Sequence, residues 1–110
     1  MKAAVGRVLE DQKVQSPIEV SIAIVGDRKM RGLNKKYRDK DKTANILSFP
    51  ISEGGESILP PDSDVTRLGD IIISYPELIR ESAEEDMLVD DRVDMLVEHG
   101  MLHLLGIHHQ

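Results

Sequence analysis

The chain has 110 residues, 14 of them basic and 20 acidic, for a formal net charge of −6. It contains no cysteine, which excludes disulfides and thiolate metal ligands and fits a reducing cytoplasm. The length suits one domain (1–110) with a modest core, no apolar run approaches a membrane span, and two Tyr, one Phe and no Trp leave that core to Ile, Leu, Val and Met.

Lys2–Gln12 sets Ala4, Val5, Val8 and Leu9 at helical spacing, so a short helix is expected there rather than a signal peptide. Glu19–Val25 is β-branched and apolar and reads as a strand. Gly26–Asp27 supplies a turn and an N-cap for a helix to about Tyr37, with Met30, Leu33 and Tyr37 on one face. Between Arg28 and Lys42 lie eight basic residues against Asp39 and Asp41 alone. A local patch, more than net charge, attracts a nucleic-acid backbone, and Lys35 and Lys36 at its centre are candidate contacts. A solvated helix face would account for the same charges equally well.

Asn45–Ile51 reads as a second strand, with Pro50 marking a sheet edge or a strand end. Glu53–Thr66 holds Gly54, Gly55, Pro60 and Pro61 and is expected to be a loop acting as a mobile flap. Gly69–Ser74, apolar at successive positions, is a third and buried strand. Ser74 can cap the next helix, with Pro76 in its first turn and Glu77 three residues after the cap, and this helix runs to about Glu85. A last helix starting at Asp90 or Asp91 turns Val93, Leu96, Val97, Leu102, Leu104 and Leu105 to the core. The order α-β-α-β-β-α-α implies an α+β fold, a small mixed sheet packed with helices.

All four histidines fall in the last twelve residues. His99 and His103 are i and i+4, one above the other on a helix face, the separation two ligands of one metal need. Gly106 can end that helix in a left-handed conformation and let the chain return a third imidazole, His109. Three neutral nitrogens with an open fourth position describe a catalytic zinc site. A favourable interaction of histidines with the helix C-terminal dipole is the plainer account, but the interleaving with Leu, Met and Gly at helical spacing favours the metal. His108 can compete with His109, which is kept as the ligand on spacing. Because ligating imidazoles must be neutral, metal binding and activity are expected to fall together below about pH 6.

The spacing H-x-x-x-H-x-x-G-x-x-H is shared with zinc peptidases, in which a Glu after the first His acts as general base. Here that position is Gly100, and Glu98 would point about 200° away from it on a helix. The metal cradle is kept and the peptidase base is missing. Residues His99 to His109 instead resemble the H-G-x-L-H-L-x-G-[YF]-D-H signature of the YbeY family, endoribonucleases of bacterial rRNA maturation. Two further blocks agree. Leu33-Asn34-Lys35-Lys36-Tyr37-Arg38, continuing to Asn45-Ile46-Leu47-Ser48-Phe49-Pro50, resembles L-N-x-x-Y-R…T-[DN]-V-L-S-F-P. Leu68-Gly69-Asp70-Ile71-Ile72-Ile73-Ser74 resembles L-G-D-I-x-I-S. His108 takes the signature's Asp position, Ile107 its aromatic, and Thr43-Ala44 the usual Pro-Thr.

The resemblance implies an α+β fold whose final helix brings two of three zinc-binding histidines (His99, His103 and His109) to a cleft. It implies a shortened member of the family, lacking an opening strand. It also implies an arginine facing the metal, by position Arg38, where a guanidinium can grip a phosphodiester and offset developing charge. Asp70, at a strand start, is expected to cap or to accept a turn hydrogen bond; Asn45 and Ser48 receive no chemistry. The implied activity is zinc-dependent cleavage of single-stranded RNA, with rRNA or the small ribosomal subunit as partner and one zinc ion as cofactor. Two rivals stand beside it: a zinc peptidase-like hydrolase, and a non-catalytic RNA- or ribosome-binding factor with a vestigial metal site.

Overall fold

A computed structural model describes residues 2–12, 18–50 and 66–106. Its elements run α1 (Lys2–Asp11), β1 (Ile18–Val25), α2 (Asp27–Arg38), β2 (Ile46–Pro50), β3 (Thr66–Ser74), α3 (Tyr75–Glu84) and α4 (Val89–Leu104). This is the expected α+β order. The sheet is mixed: β3 lies in the middle, parallel to β1 and antiparallel to β2. Pro50 closes β2, an edge strand in this sheet, where its missing N–H removes no central ladder bond. The stretch 53–65 expected to form a flap lies outside the described residues, while Thr66 already opens β3.

β3 begins three residues before the expected Gly69. Arg67 pairs with Glu19 and Gly69 with Val20, so Leu68 is an extra residue and the strand carries a bulge. Gly69 is thus a bulge residue rather than a strand start. Its φ is +147°, and a Cβ there would stand 2.2 Å from the Phe49 carbonyl oxygen. Among the described residues Asp70, expected to cap or to accept a turn hydrogen bond, instead accepts from an arginine side chain. Arg67 bridges the bulge, with Nη1 donating to Glu19 Oε1 at 2.8 Å and Nη2 to Asp70 Oδ1 at 2.5 Å.

The helix starts also shift by a residue. Gly26, not Asp27, is the N-cap of α2, and Asp27 sits in the first turn. In α4 the cap is Leu88, leaving Asp90 and Asp91 in the first turn, where their charge favours the positive end of the helix dipole. Ser74 does cap α3, its Oγ accepting from Glu77 N at 3.4 Å.

The core lies between one face of the sheet and α1, α3 and α4. Ile71 and Ile73 of β3 meet Ala4 and Val8 of α1, Leu78 of α3, and Val93, Leu96, Val97, Met101 and Leu104 of α4. Residues two apart on a strand share a face, and the register Ile46↔Ile73 and Ser48↔Ile71 therefore turns Ile46 and Ser48 toward α4. Leu47 and Phe49 alternate to the other face, that of α2. On α2, Met30 and Asn34 are buried while Tyr37 is 54% exposed. The expected apolar face thus gives way to a polar residue at 34. Asn34 is accommodated because its Nδ2 donates to the Lys42 carbonyl at 2.9 Å. Its own carbonyl accepts the N–H of Asp39, a left-handed residue that ends the helix. Among the described residues no helix is long and apolar enough to cross a membrane.

Candidate metal centre and RNA groove

α4 carries His99 and His103 one turn apart, as the spacing predicts. His99 is exposed and His103 half-buried. The chain between them is held against the sheet by Gly100, whose added Cβ would lie 2.9 Å from Ile71 Cδ1 and 3.3 Å from Ile46 Cδ1. Position 100 therefore faces the core, and a glutamate there would drive its carboxylate into Ile71 and Ile46. Glu98 points elsewhere, accepting from Arg7 Nη2 of α1 at 2.6 Å. Neither position 98 nor position 100 therefore stands where the peptidase base would. At the helix end Gly106 takes φ +82°, its N–H donating to the His103 carbonyl at 3.0 Å. This is the left-handed exit expected of it. His108 and His109 lie outside the described residues, and among the described residues no three metal-binding side chains come together.

Ser48 of β2 meets this helix, and Asn45, just before β2, meets α3. Ser48 Oγ lies 2.5 Å from His103 Nδ1. Asn45 Nδ2 donates to the Glu81 carboxylate at 3.3 Å and its carbonyl accepts the N–H of Ser74 at 2.9 Å. Glu81 also accepts from Arg92 Nη2 at 2.8 Å, and Arg92 Nη1 reaches Glu85 at 3.2 Å. Burial works to raise the Glu81 pKa, but the hydrogen bonds from Arg92 and Asn45 outweigh it and hold the carboxyl below its ordinary value. Asn45, Ile46, Arg92, Met95, Leu96 and His99 together line a hollow of about 280 Å³.

Arg38 ends α2 and folds across β2. Its Nη2 donates to the Ser48 carbonyl at 2.6 Å and its guanidinium carbon stands 4.9 Å from the Phe49 ring centre, a cation–π placement. Ser48 therefore touches both candidates, Arg38 through its carbonyl and His103 through its hydroxyl. Arg38 also lines a groove of about 350 Å³ with Asn34, Lys40, Lys42, Thr43, Ala44, Ile46 and Leu47. Ile46 borders this groove and the hollow at His99 alike. Thr43 Oγ1 is buried without a hydrogen-bond partner among the described residues, a polar atom that a ligand in the groove can satisfy.

Lys35 and Lys36 do not line that groove. Both are exposed on α2, and Lys36 Nζ stands 5.1 Å from the Tyr37 ring centre. Asn45 and Ser48 are the site residues without a role in the sequence reading, and Lys40 and Lys42 entered it only as members of the basic window. Ser48 and Asn45 sat inside a motif block, with nothing local to say what they would touch.

Fold and site together define an α+β domain whose last helix presents paired imidazoles across an edge strand from an arginine-lined basic groove. Residues 1–110 match the family model described as Endoribonuclease YbeY, and the chain belongs to that family. It is 40% identical over 98 residues to a protein of Magnetococcus marinus named Endoribonuclease YbeY, covering 86% of this chain and 67% of that one. The same name is carried by a protein of Anaeromyxobacter, 42% identical over 92 residues (84% of this chain, 44% of that one). It is carried also by one of Persephonella marina, 34% identical over 110 residues (100% and 68%). The chain spans from 44% to 68% of the length of these relatives.

Proposed function

We propose that this chain is a zinc-dependent endoribonuclease that cleaves single-stranded RNA in ribosomal RNA processing and ribosome maturation, in the cytoplasm. The observation that carries the reading is the meeting of Arg38 and His103 on Ser48, which joins a phosphate-gripping group to the imidazole helix. Membership of a family named for endoribonuclease activity supports it independently. His99, His103 and His109 are the residues that would hold zinc. The fit rests on two described donors of the right type and spacing, one of them with its Nδ1 already engaged as metal-ligating histidines require. When bound, zinc supplies Lewis acidity beside the scissile phosphodiester.

The chain's own groups do the rest. Arg38 spends one N–H on the Ser48 carbonyl and retains others of its five donors for phosphate oxygens. Its stacking on Phe49 limits its freedom, so less order is lost when a phosphate arrives. Lys40 and Lys42 in the groove, with Lys35 and Lys36 on the adjoining helix surface, extend positive charge along an RNA backbone. The substrate inferred is RNA whose bases are unpaired, with rRNA of the small subunit as the natural source.

The test begins with zinc per chain by elemental analysis and continues with cleavage of a single-stranded RNA oligonucleotide before and after chelation. The expected outcome is about one zinc per chain, with cleavage that is lost on chelation and restored by zinc. Arg38→Lys should cost about 10²–10³-fold in the cleavage rate, because an ammonium cannot reproduce the planar fork. Cleavage indifferent to chelator would overturn the metal role, and zinc-loaded protein that binds RNA without cutting it would make the chain an RNA-binding factor.

A further inference from the structure

We infer that Ser48 is a positioning residue for the imidazole of His103. Its hydroxyl accepts the Nδ1 proton and thereby holds the ring in the tautomer whose Nε2 carries the lone pair. The inference deepens the metal reading above and rests on it for its consequence, but the hydrogen bond itself is a property of the metal-free chain.

A neutral imidazole has one protonated nitrogen and one basic one, and the hydrogen bond made by the first decides which is which. Free in water, a histidine on a helix samples both tautomers and several ring rotations. At His103 the Nδ1 side is taken by Ser48 Oγ at 2.5 Å, a contact between an edge strand and a helix that are 55 residues apart in sequence. The register of β2 makes this contact stiff. Ser48 pairs with Ile71 and Ile46 with Ile73, while Ile46 and Ile71 pack on Gly100 of α4. Strand and helix are thus packed together three residues along α4 from the imidazole. With Nδ1 donating, Nε2 at the far edge of the ring is the basic nitrogen.

The same residue separates two functions cleanly. Arg38 uses the backbone carbonyl of Ser48 at 2.6 Å, while His103 uses the side chain. Ser48→Ala deletes only the second contact. Alanine retains the carbonyl and hence the arginine, so a loss in this variant reports on the imidazole alone. Ser48→Thr keeps a hydroxyl on a strand, where a β-branched residue fits.

The experiment has two readouts. The first is the tautomer of His103 in the metal-free full chain, read from its ring ¹⁵N shifts at about pH 8.5, some two units above the ordinary imidazole pKa. The wild type and Ser48→Thr should show Nδ1 protonated, and Ser48→Ala should lose part of that preference. The second is zinc affinity, measured by competition with a chromogenic chelator. Ser48→Ala should bind about 10–100-fold more weakly, and Ser48→Thr should recover most of the loss. A wild-type ring protonated at Nε2, or shifts unchanged in Ser48→Ala, overturns the inference whatever the metal does. Zinc affinity unchanged in Ser48→Ala overturns its consequence for the site. A wild type with Nδ1 protonated that binds no zinc supports the hydrogen bond and refutes the metal reading, so the two failures are told apart.

Discussion

A methyl group at position 69 would meet the Phe49 carbonyl oxygen at 2.2 Å and Leu104 Cδ2 at 3.0 Å, in a backbone with φ +147°. The carbonyl belongs to a paired strand and cannot yield, so Gly69→Ala should cost about 3–5 kcal/mol, combining backbone strain with overpacking. Urea unfolding checks this, and an unfolding free energy within about 0.5 kcal/mol of wild type (the range of neutral surface changes) would contradict the bulge geometry. Gly100 differs in kind, because the nearest atom to its added Cβ is the flexible end of Ile71 at 2.9 Å. Gly100→Ala should be tolerated after a small Ile71 shift. Gly100→Glu should lose about 3 kcal/mol or more, from crowding and a charge forced against the core, and gain no peptidase activity. Both glycines stand in motif blocks and were visible as letters. The atoms that demand them come from other elements and were not.

At the scale of elements, β2 and the residue before it are fastened to α4 and α3 by polar contacts. Ser48 reaches His103 of α4, and Asn45 reaches Glu81 of α3. The Glu81–Arg92 pair at that second point is only 17% and 13% exposed, so deleting one partner strands the other. Arg92→Ala should cost about 2 kcal/mol. Because the folded state holds Glu81 below its ordinary pKa, its contribution is complete above the usual carboxyl range. It is lost as pH falls through the folded value, where Glu81 takes up a proton. The urea midpoint between pH 6 and 3 should therefore fall less steeply in Glu81→Gln than in the wild type. A parallel fall would show that other carboxyls govern acid unfolding. Element types were legible from period and turn residues. The start of β3 slipped at Gly69, where a bulge intervened, and the buried face of α2 changed at Asn34, whose satisfied side chain overrode the apolar pattern.

At the scale of the molecule, the chain is acidic overall at −6, yet its arginine and lysine groove adjoins the imidazole helix across β2. An RNA backbone lying there should respond to Lys40 and Lys42 more than to Lys35 and Lys36, which stand outside the groove. Charge reversal at each groove lysine should lower the slope of log affinity against log salt by about 1. Reversal at Lys35 and Lys36 should weaken binding by less, through longer-range attraction. Fluorescence anisotropy with a single-stranded oligonucleotide across a salt series measures both, and equal slopes in the two pairs would argue against the groove as the RNA path.

Order of elements, the α+β class, the helical pairing of His99 with His103 and the basic window were determined by sequence alone. Each depends on neighbours within a turn or a strand, where residue spacing dictates geometry. Only the tertiary structure decided that Arg38 and His103 share Ser48, that position 100 faces the core, and that Lys40 and Lys42 line the groove while Lys35 and Lys36 stand aside. Those facts join residues 10 and 55 positions apart, and strand register and helix packing create such contacts without leaving a local trace in the chain.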